Sequence, residues 1–165
     1  MSKRPRDGQL AAWRSLLEAH AAVTELLARE LEDERGLPLA WYEVLLQLAT
    51  APGGRLRMQD LAQSVLLSKS GLTRLVDRME RDGLVSRERC PSDRRGTFAV
   101  LTSKGRTAFR RAAPVHLRGI QDHFAGHLDG DEAEVLHAVL ARVAGAARRQ
   151  GRLLDGRDDE SAARR

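Results

Sequence analysis

Ser68-Lys69-Ser70-Gly71-Leu72-Thr73-Arg74-Leu75-Val76-Asp77-Arg78-Met79-Glu80-Arg81 is the stretch that decides how this chain folds. Leu72, Leu75, Val76 and Met79 fall at i, i+3, i+4 and i+7, while Lys69, Ser70, Thr73, Arg74, Asp77, Arg78 and Arg81 lie largely on the other side of a helical period. The spacing predicts a helix with one packed face and one basic, outward face. Ser68 can cap its first free N–H groups, and Gly83 suits the left-handed position that closes it. Gly71 costs about 1 kcal/mol of helix propensity, but its missing side chain lets a phosphate approach the backbone.

Upstream, residues 59–64 form a short helix with Leu61, Ala62 and Val65 inward, joined to the first by the tight turn 64–68. Downstream, residues 84–90 and 97–101 read as two strands around the turn-rich stretch 91–96, which carries Asp93, Arg94 and Arg95. Two short helices at a tight turn, followed by a basic-tipped hairpin, make a helix-turn-helix with a wing. Such a helix fits the major groove of DNA and leads with its N-terminal turn, so the expected contacts are Ser68, Lys69, Ser70, Thr73 and Arg74, with Arg78 one turn on. Arg94 and Arg95 suit the minor groove, where the negative potential favours a guanidinium. Asp93 would oppose DNA unless it pairs with one of those arginines and orients it.

Long helices frame this module. Between residues 9 and 34, Leu10, Trp13, Leu16, Leu17, Val23, Leu26, Leu27 and Leu31 recur at three- and four-residue steps, until Gly36 and Pro38 end the pattern. Residues 39–50 form a second helix, broken by Pro52-Gly53-Gly54, and Arg55-Leu56-Arg57 is a short extended piece. After the wing, Thr102 caps a helix expected to reach residue 128, with Phe109, Ala112, Leu117, Ile120 and Phe124 as its buried stripe and a kink at Pro114. Asp129 and Glu132 approximate a capping box for a last helix that buries Val135, Leu136, Val139, Leu140 and Val143. The expected organisation is a disordered arm over 1–8, a single domain over 9–150 with the winged helix-turn-helix at 55–101, and a flexible tail over 151–165. The fold class is mainly α with a small β-hairpin wing. The helices at 9–35 and 102–150 carry more apolar surface than one small winged helix can cover, so they are read as dimerisation helices.

Charge agrees with a polyanion partner. Residues 55–111 hold fourteen Lys and Arg against six Asp and Glu, a net of +8 that leaves −3 for the rest of the chain. The chain has 165 residues, about one domain, with 42% apolar and 31% charged residues, which excludes a membrane-buried protein. Aromatics are only 4%, so the core must be Leu, Ala and Val packed from helices. The single cysteine, Cys90, excludes an internal disulfide framework and points to a reducing cytoplasm. Lys3, Arg4 and Arg6 are followed by Arg14 and Glu18, so neither a signal peptide nor a spanning segment is expected. No catalytic set is marked either: Pro52-Gly53-Gly54 lacks the spacing of a phosphate-binding loop, and no Ser/His/Asp or Cys/His motif is present.

Four strings in order, residues 68–80 of the stretch quoted above, then Asp82-Gly83-Leu84-Val85, Asp93-Arg94-Arg95 and Leu101-Thr102-Ser103-Lys104-Gly105, resemble the multiple-antibiotic-resistance regulator (MarR) family of winged-helix repressors over roughly residues 9–150. The resemblance implies a cytoplasmic homodimer whose first, fifth and sixth helices interlock. It implies a pseudo-palindromic double-stranded operator read by the fourth helix and the wing, with Asp93 and Arg95 matching the family's wing residues. Trp13, His20, Trp41, Tyr42 and Glu43 resemble the family's effector cleft and would suit a small aromatic or phenolic compound; the competing reading makes both tryptophans core residues. No cofactor or metal is expected. Cys90 beside arginines could be a redox sensor, and His116, His123 and His127 a metal sensor, but an ordinary strand cysteine and helix-surface or interface histidines compete with those readings. A winged helix serving only protein contacts would need an apolar or acidic face where Lys69, Arg74, Arg78 and Arg81 stand.

Overall fold

The computed structural model describes residues 4–65, 69–90 and 93–162. In chain order they form α1 (Asp7–Arg35), α2 (Leu39–Thr50), a 3-10 turn (Pro52–Gly54), β1 (Arg55–Arg57), α3 (Met58–Ser64), α4 (Lys69–Arg81), β2 (Val85–Cys90) and β3 (Asp93–Leu101), followed by α5 (Ser103–His123), a second 3-10 turn (Ala125–His127) and α6 (Gly130–Ala162). The chain is mainly helical with one small antiparallel sheet, ordered β1-β3-β2. It divides into two compact units, one ending at His123 and the other beginning at Phe124.

In the first unit, the core lies where α2, α3 and α4 meet the sheet and α5. Leu45, Leu48, Leu61, Val76, Met79 and Ala99 are among its fully enclosed side chains. All four stripe residues of α4, Leu72, Leu75, Val76 and Met79, are buried, as the periodicity predicts. Gly83 closes α4 at φ +72°, and the Leu84 N–H then donates to the Met79 carbonyl at 2.9 Å, which uses an end-of-helix acceptor. Gly36 ends α1 in the same way at φ +59°.

Three details depart from the sequence reading. The ladder of the hairpin continues to the pair Cys90 and Asp93 across a register shift after Arg89, so β3 begins at Asp93 and not at Thr97. Helix α5 stops at His123, because Phe124 takes φ −140° and ψ −65°, outside the helical region. Its buried face is Gly105, Ala112, Val115, His116 and Gly119, whereas Leu117 is 63% exposed. The stripe is rotated because α1 packs on the small residues of α5: a Cβ at Gly119 would lie 2.6 Å from Leu27 Cδ2.

The second unit is built on α6. Its capping box forms as expected: the Glu132 N–H donates to Asp129 Oδ1 at 2.8 Å, and the Asp129 N–H donates to Glu132 Oε2 at 3.0 Å. Helical backbone continues to Ala162. Phe124, Leu128, Leu136, His137 and Leu140 line an open apolar groove of about 430 Å³. Val135, Val139 and Val143, expected inside, are exposed. Among the described residues no helix is long and apolar enough to cross a membrane.

Candidate nucleic-acid interface

With one side of α4 held in the core, the opposite side is turned outward. Ser70, Thr73, Arg74, Arg78 and Arg81 are all exposed, which is the face the sequence assigned to DNA. Ser68 lies outside the described residues. Lys69, Asp93, Arg94 and Arg95 belong to α4 and β3 by their backbone, and their side chains lie outside the described set.

The helix is tied to the wing by an ion cluster that sequence reading missed. Arg87 Nη1 is 2.7 Å from both Asp77 Oδ1 and Glu80 Oε2. Its Nη2 donates to the Thr73 carbonyl at 3.4 Å, and its main-chain N–H donates to Glu80 Oε1 at 3.1 Å. The signal was present but indirect: Thr73, Asp77 and Glu80 fall at i, i+4 and i+7, along one line of the helix. What they face depends on strand pairing.

A second tie joins α4 to α5. The Thr102 hydroxyl lies 2.7 Å from the Gly83 carbonyl and 3.0 Å from that of Leu84, and accepts the Gly105 N–H at 3.0 Å. Lys104 Nζ donates to the Asp82 carbonyl at 2.6 Å. On the outer face of the sheet, the guanidinium groups of Arg55 and Arg57 stand 5.2 and 5.6 Å from the centre of the Phe98 ring.

The residues assigned to an effector cleft are not gathered into one place within the chain. Tyr42 is buried, with Phe109 and His116 ring centres 5.7 and 4.3 Å away. Trp41 and Glu43 are half-buried beside it, whereas Trp13 and His20 are exposed on α1. Tyr42 shares its core with Leu31, and Trp13 precedes Leu31 on α1 by about 27 Å of helix. Burial raises the Tyr42 pKa, helped by the Glu43 carboxylate, and burial lowers that of His116, whose Nδ1 has no hydrogen-bond partner among the described residues.

The other histidines lie elsewhere. His123 Nε2 is 2.6 Å from Glu30 Oε1, and His127 falls in the 3-10 turn, not one helical turn beyond His123. Among the described residues no group of three or more His, Cys, Asp or Glu is placed to hold a metal ion. The Cys90 side chain lies outside the described set.

The family model described as MarR family matches residues 35–96. The chain is 32% identical over 131 residues to the HTH-type transcriptional regulator YkoM of Bacillus subtilis, covering 79% of this chain and 82% of that one. Among solved structures it is similar to AbsC, a MarR family transcriptional regulator from Streptomyces coelicolor, with a TM-score of 0.82, 38% identity, and coverage of 89% of this chain and 99% of that one. It is also similar to Sco3205 from the same organism, a MarR family regulator solved in complex with DNA. That match has a TM-score of 0.82 and 34% identity, covering 88% of this chain and 91% of that one.

Proposed function

The chain belongs to the MarR family of transcriptional regulators, and from that premise we propose that it works as a homodimer that represses transcription from a pseudo-palindromic operator. The observation that carries this reading is the division of α4 into a buried apolar stripe and an exposed face of Ser70, Thr73, Arg74 and Arg78. Such a helix can enter the major groove without unpacking its own domain. Ser68 and Lys69 would lead it in, and Arg94 or Arg95, oriented by Asp93, would reach the minor groove.

Apolar surface supports the second copy. Leu10, Trp13, Leu16 and Leu17 on α1 are exposed, as are Val135, Val139 and Val143 on α6. Contiguous apolar faces of this kind are rare on a soluble monomer. A twofold pair would set the two α4 helices roughly 34 Å apart, one turn of DNA. The operating compartment is the cytoplasm, where DNA and a reduced Cys90 coexist.

Release would come from a small aromatic or phenolic effector beside Trp41, Tyr42 and Glu43, which lie together on α2. The ligand acts only if it binds better to a dimer whose α4 spacing does not fit DNA. The deciding experiment is a gel shift on duplexes from the region upstream of the gene, followed by release with aromatic acids and phenols. A retarded duplex protected over two half-sites supports the reading, and failure to retard any duplex overturns it.

A further inference from the structure

Strand pairing places Arg87 opposite Ala99, a fully buried residue, and between Ser86 and Glu88, which point to the other face of the sheet. A cation is thus set on the side of the hairpin that packs, with only 26% of its side chain exposed. Burial of an unpaired guanidinium would be costly, and α4 supplies the compensation. Glu80 grips both the side chain and the main-chain N–H of Arg87, Asp77 takes the same Nη1, and the Thr73 carbonyl accepts from Nη2. These acceptors span eight residues of α4, Thr73 to Glu80, about 10 Å of its length. A planar, multidentate group anchored at both ends of that line resists rotation of the helix about its axis as well as sliding along it.

We infer that Arg87 is a positioning residue for DNA recognition: from the base of the wing it holds the rotation of α4, and so the aim of Ser70, Thr73 and Arg74, without itself touching DNA. This rests on the DNA-binding reading above. It carries a sign that simple electrostatics reverses. Asp77 and Glu80 are negative charges on the helix that meets DNA, so Asp77→Asn or Glu80→Gln should tighten binding if charge alone mattered. If they hold Arg87, the same substitutions loosen the helix and weaken binding.

The experiment measures affinity for the duplex retarded in the gel shift and for a random-sequence duplex of equal length, over a range of salt. Arg87→Ala is expected to weaken binding to the retarded duplex at least about tenfold, the lower end for loss of a charge-assisted hydrogen bond, and to affect the random duplex less. The slope of log affinity against log salt should stay unchanged, since no phosphate contact is lost. Arg87→Lys, which keeps the charge but lacks the planar group's second nitrogen that reaches the Thr73 carbonyl, should restore part of the loss, and Glu80→Gln should weaken the retarded duplex. A slope reduced by about one would show that Arg87 meets phosphate and overturn the proposal. So would a folded Arg87→Ala that binds like the parent, or a Glu80→Gln that binds more tightly. Should Arg87→Ala fail to fold, Glu80→Gln carries the same decision. Amide exchange over residues 73–81, expected to quicken in Arg87→Ala and Glu80→Gln, needs no DNA. Unchanged exchange would overturn the clamp, whereas quickened exchange in a protein that retards no duplex would overturn the DNA reading on which its role depends.

Discussion

Gly119 of α5 meets Glu30 of α1 so closely that a Cβ at position 119 would fall 2.5 Å from Glu30 Oε2. The same stretch of the two helices is joined by His123 with Glu30 and by Arg118 with Glu34. A glycine inside a helix normally costs stability, so the contact must return more than it loses.

Gly119→Ala should therefore destabilise the protein, by about 1–3 kcal/mol, although alanine is the better helix former. Urea unfolding followed by circular dichroism would check this, and an increase in the midpoint would show that α1 yields without cost.

Gly105→Ala should cost more than Gly119→Ala. Its Cβ would lie 2.0 Å from the Leu84 carbonyl oxygen, a main-chain atom that cannot swing aside as the Glu30 carboxylate can. Thr102→Val, which removes the hydroxyl that accepts the Gly105 N–H, should cost about 1 kcal/mol, the usual value of an N-cap. The ranking of the three melts is the measurement.

Stability should fall on mild acidification through His116. Burial lowers its pKa in the folded chain, so the unfolded chain binds the proton first and gains from it as pH drops below about 6.5. The stabilisation is full above that value and is lost towards the lower folded pKa. His116→Phe, which keeps a ring beside Tyr42, should lose less stability than the parent between about pH 7.5 and pH 5. Equal losses in the two proteins would assign the acid sensitivity elsewhere.

Arg74→Ala should weaken DNA binding and lower the salt slope by about one if its guanidinium meets phosphate, whereas a base contact would instead relax sequence preference at one position of each half-site. Arg94→Ala and Arg95→Ala should each weaken operator binding. Footprint-derived duplexes in fluorescence anisotropy would separate these outcomes, and unchanged affinity in both wing variants would remove the minor-groove assignment.

Leu17→Glu introduces a charge at a side chain 48% exposed in the single chain, so it should leave the winged module folded while opposing association. Sedimentation should then show single-chain mass, with operator affinity lost because two half-sites are no longer held together. A variant that keeps the mass of a pair would place the subunit contact away from this part of α1.

Much of the molecule is legible in one dimension because its information is local. The stripe Leu72, Leu75, Val76, Met79 specifies which side of α4 packs, and Gly83 and the Asp129–Glu132 pair mark helix ends through contacts only a few residues long. The stripe of α5 differs from its periodicity for a non-local reason: periodicity cannot say whether a helix buries its large residues or its small ones, and here α1 approaches so closely that Gly119 faces inward beside Ala112 while Leu117 stays out. Trp13 is grouped with Tyr42 by resemblance to the family's effector cleft, and the length of α1 carries it about 27 Å from Leu31 of the core that holds Tyr42.

From the chain alone came the helix-turn-helix with its wing, the basic outer side of α4, and membership among strings shared by a regulator family, since each is written in spacing, caps and residue type. Folding in three dimensions decided the partner of Arg87, the enclosure of His116 against Tyr42, and the pairing of Asp93 with Cys90. These depend on strand register and on how closely helices approach, quantities set by the packing of segments distant in sequence.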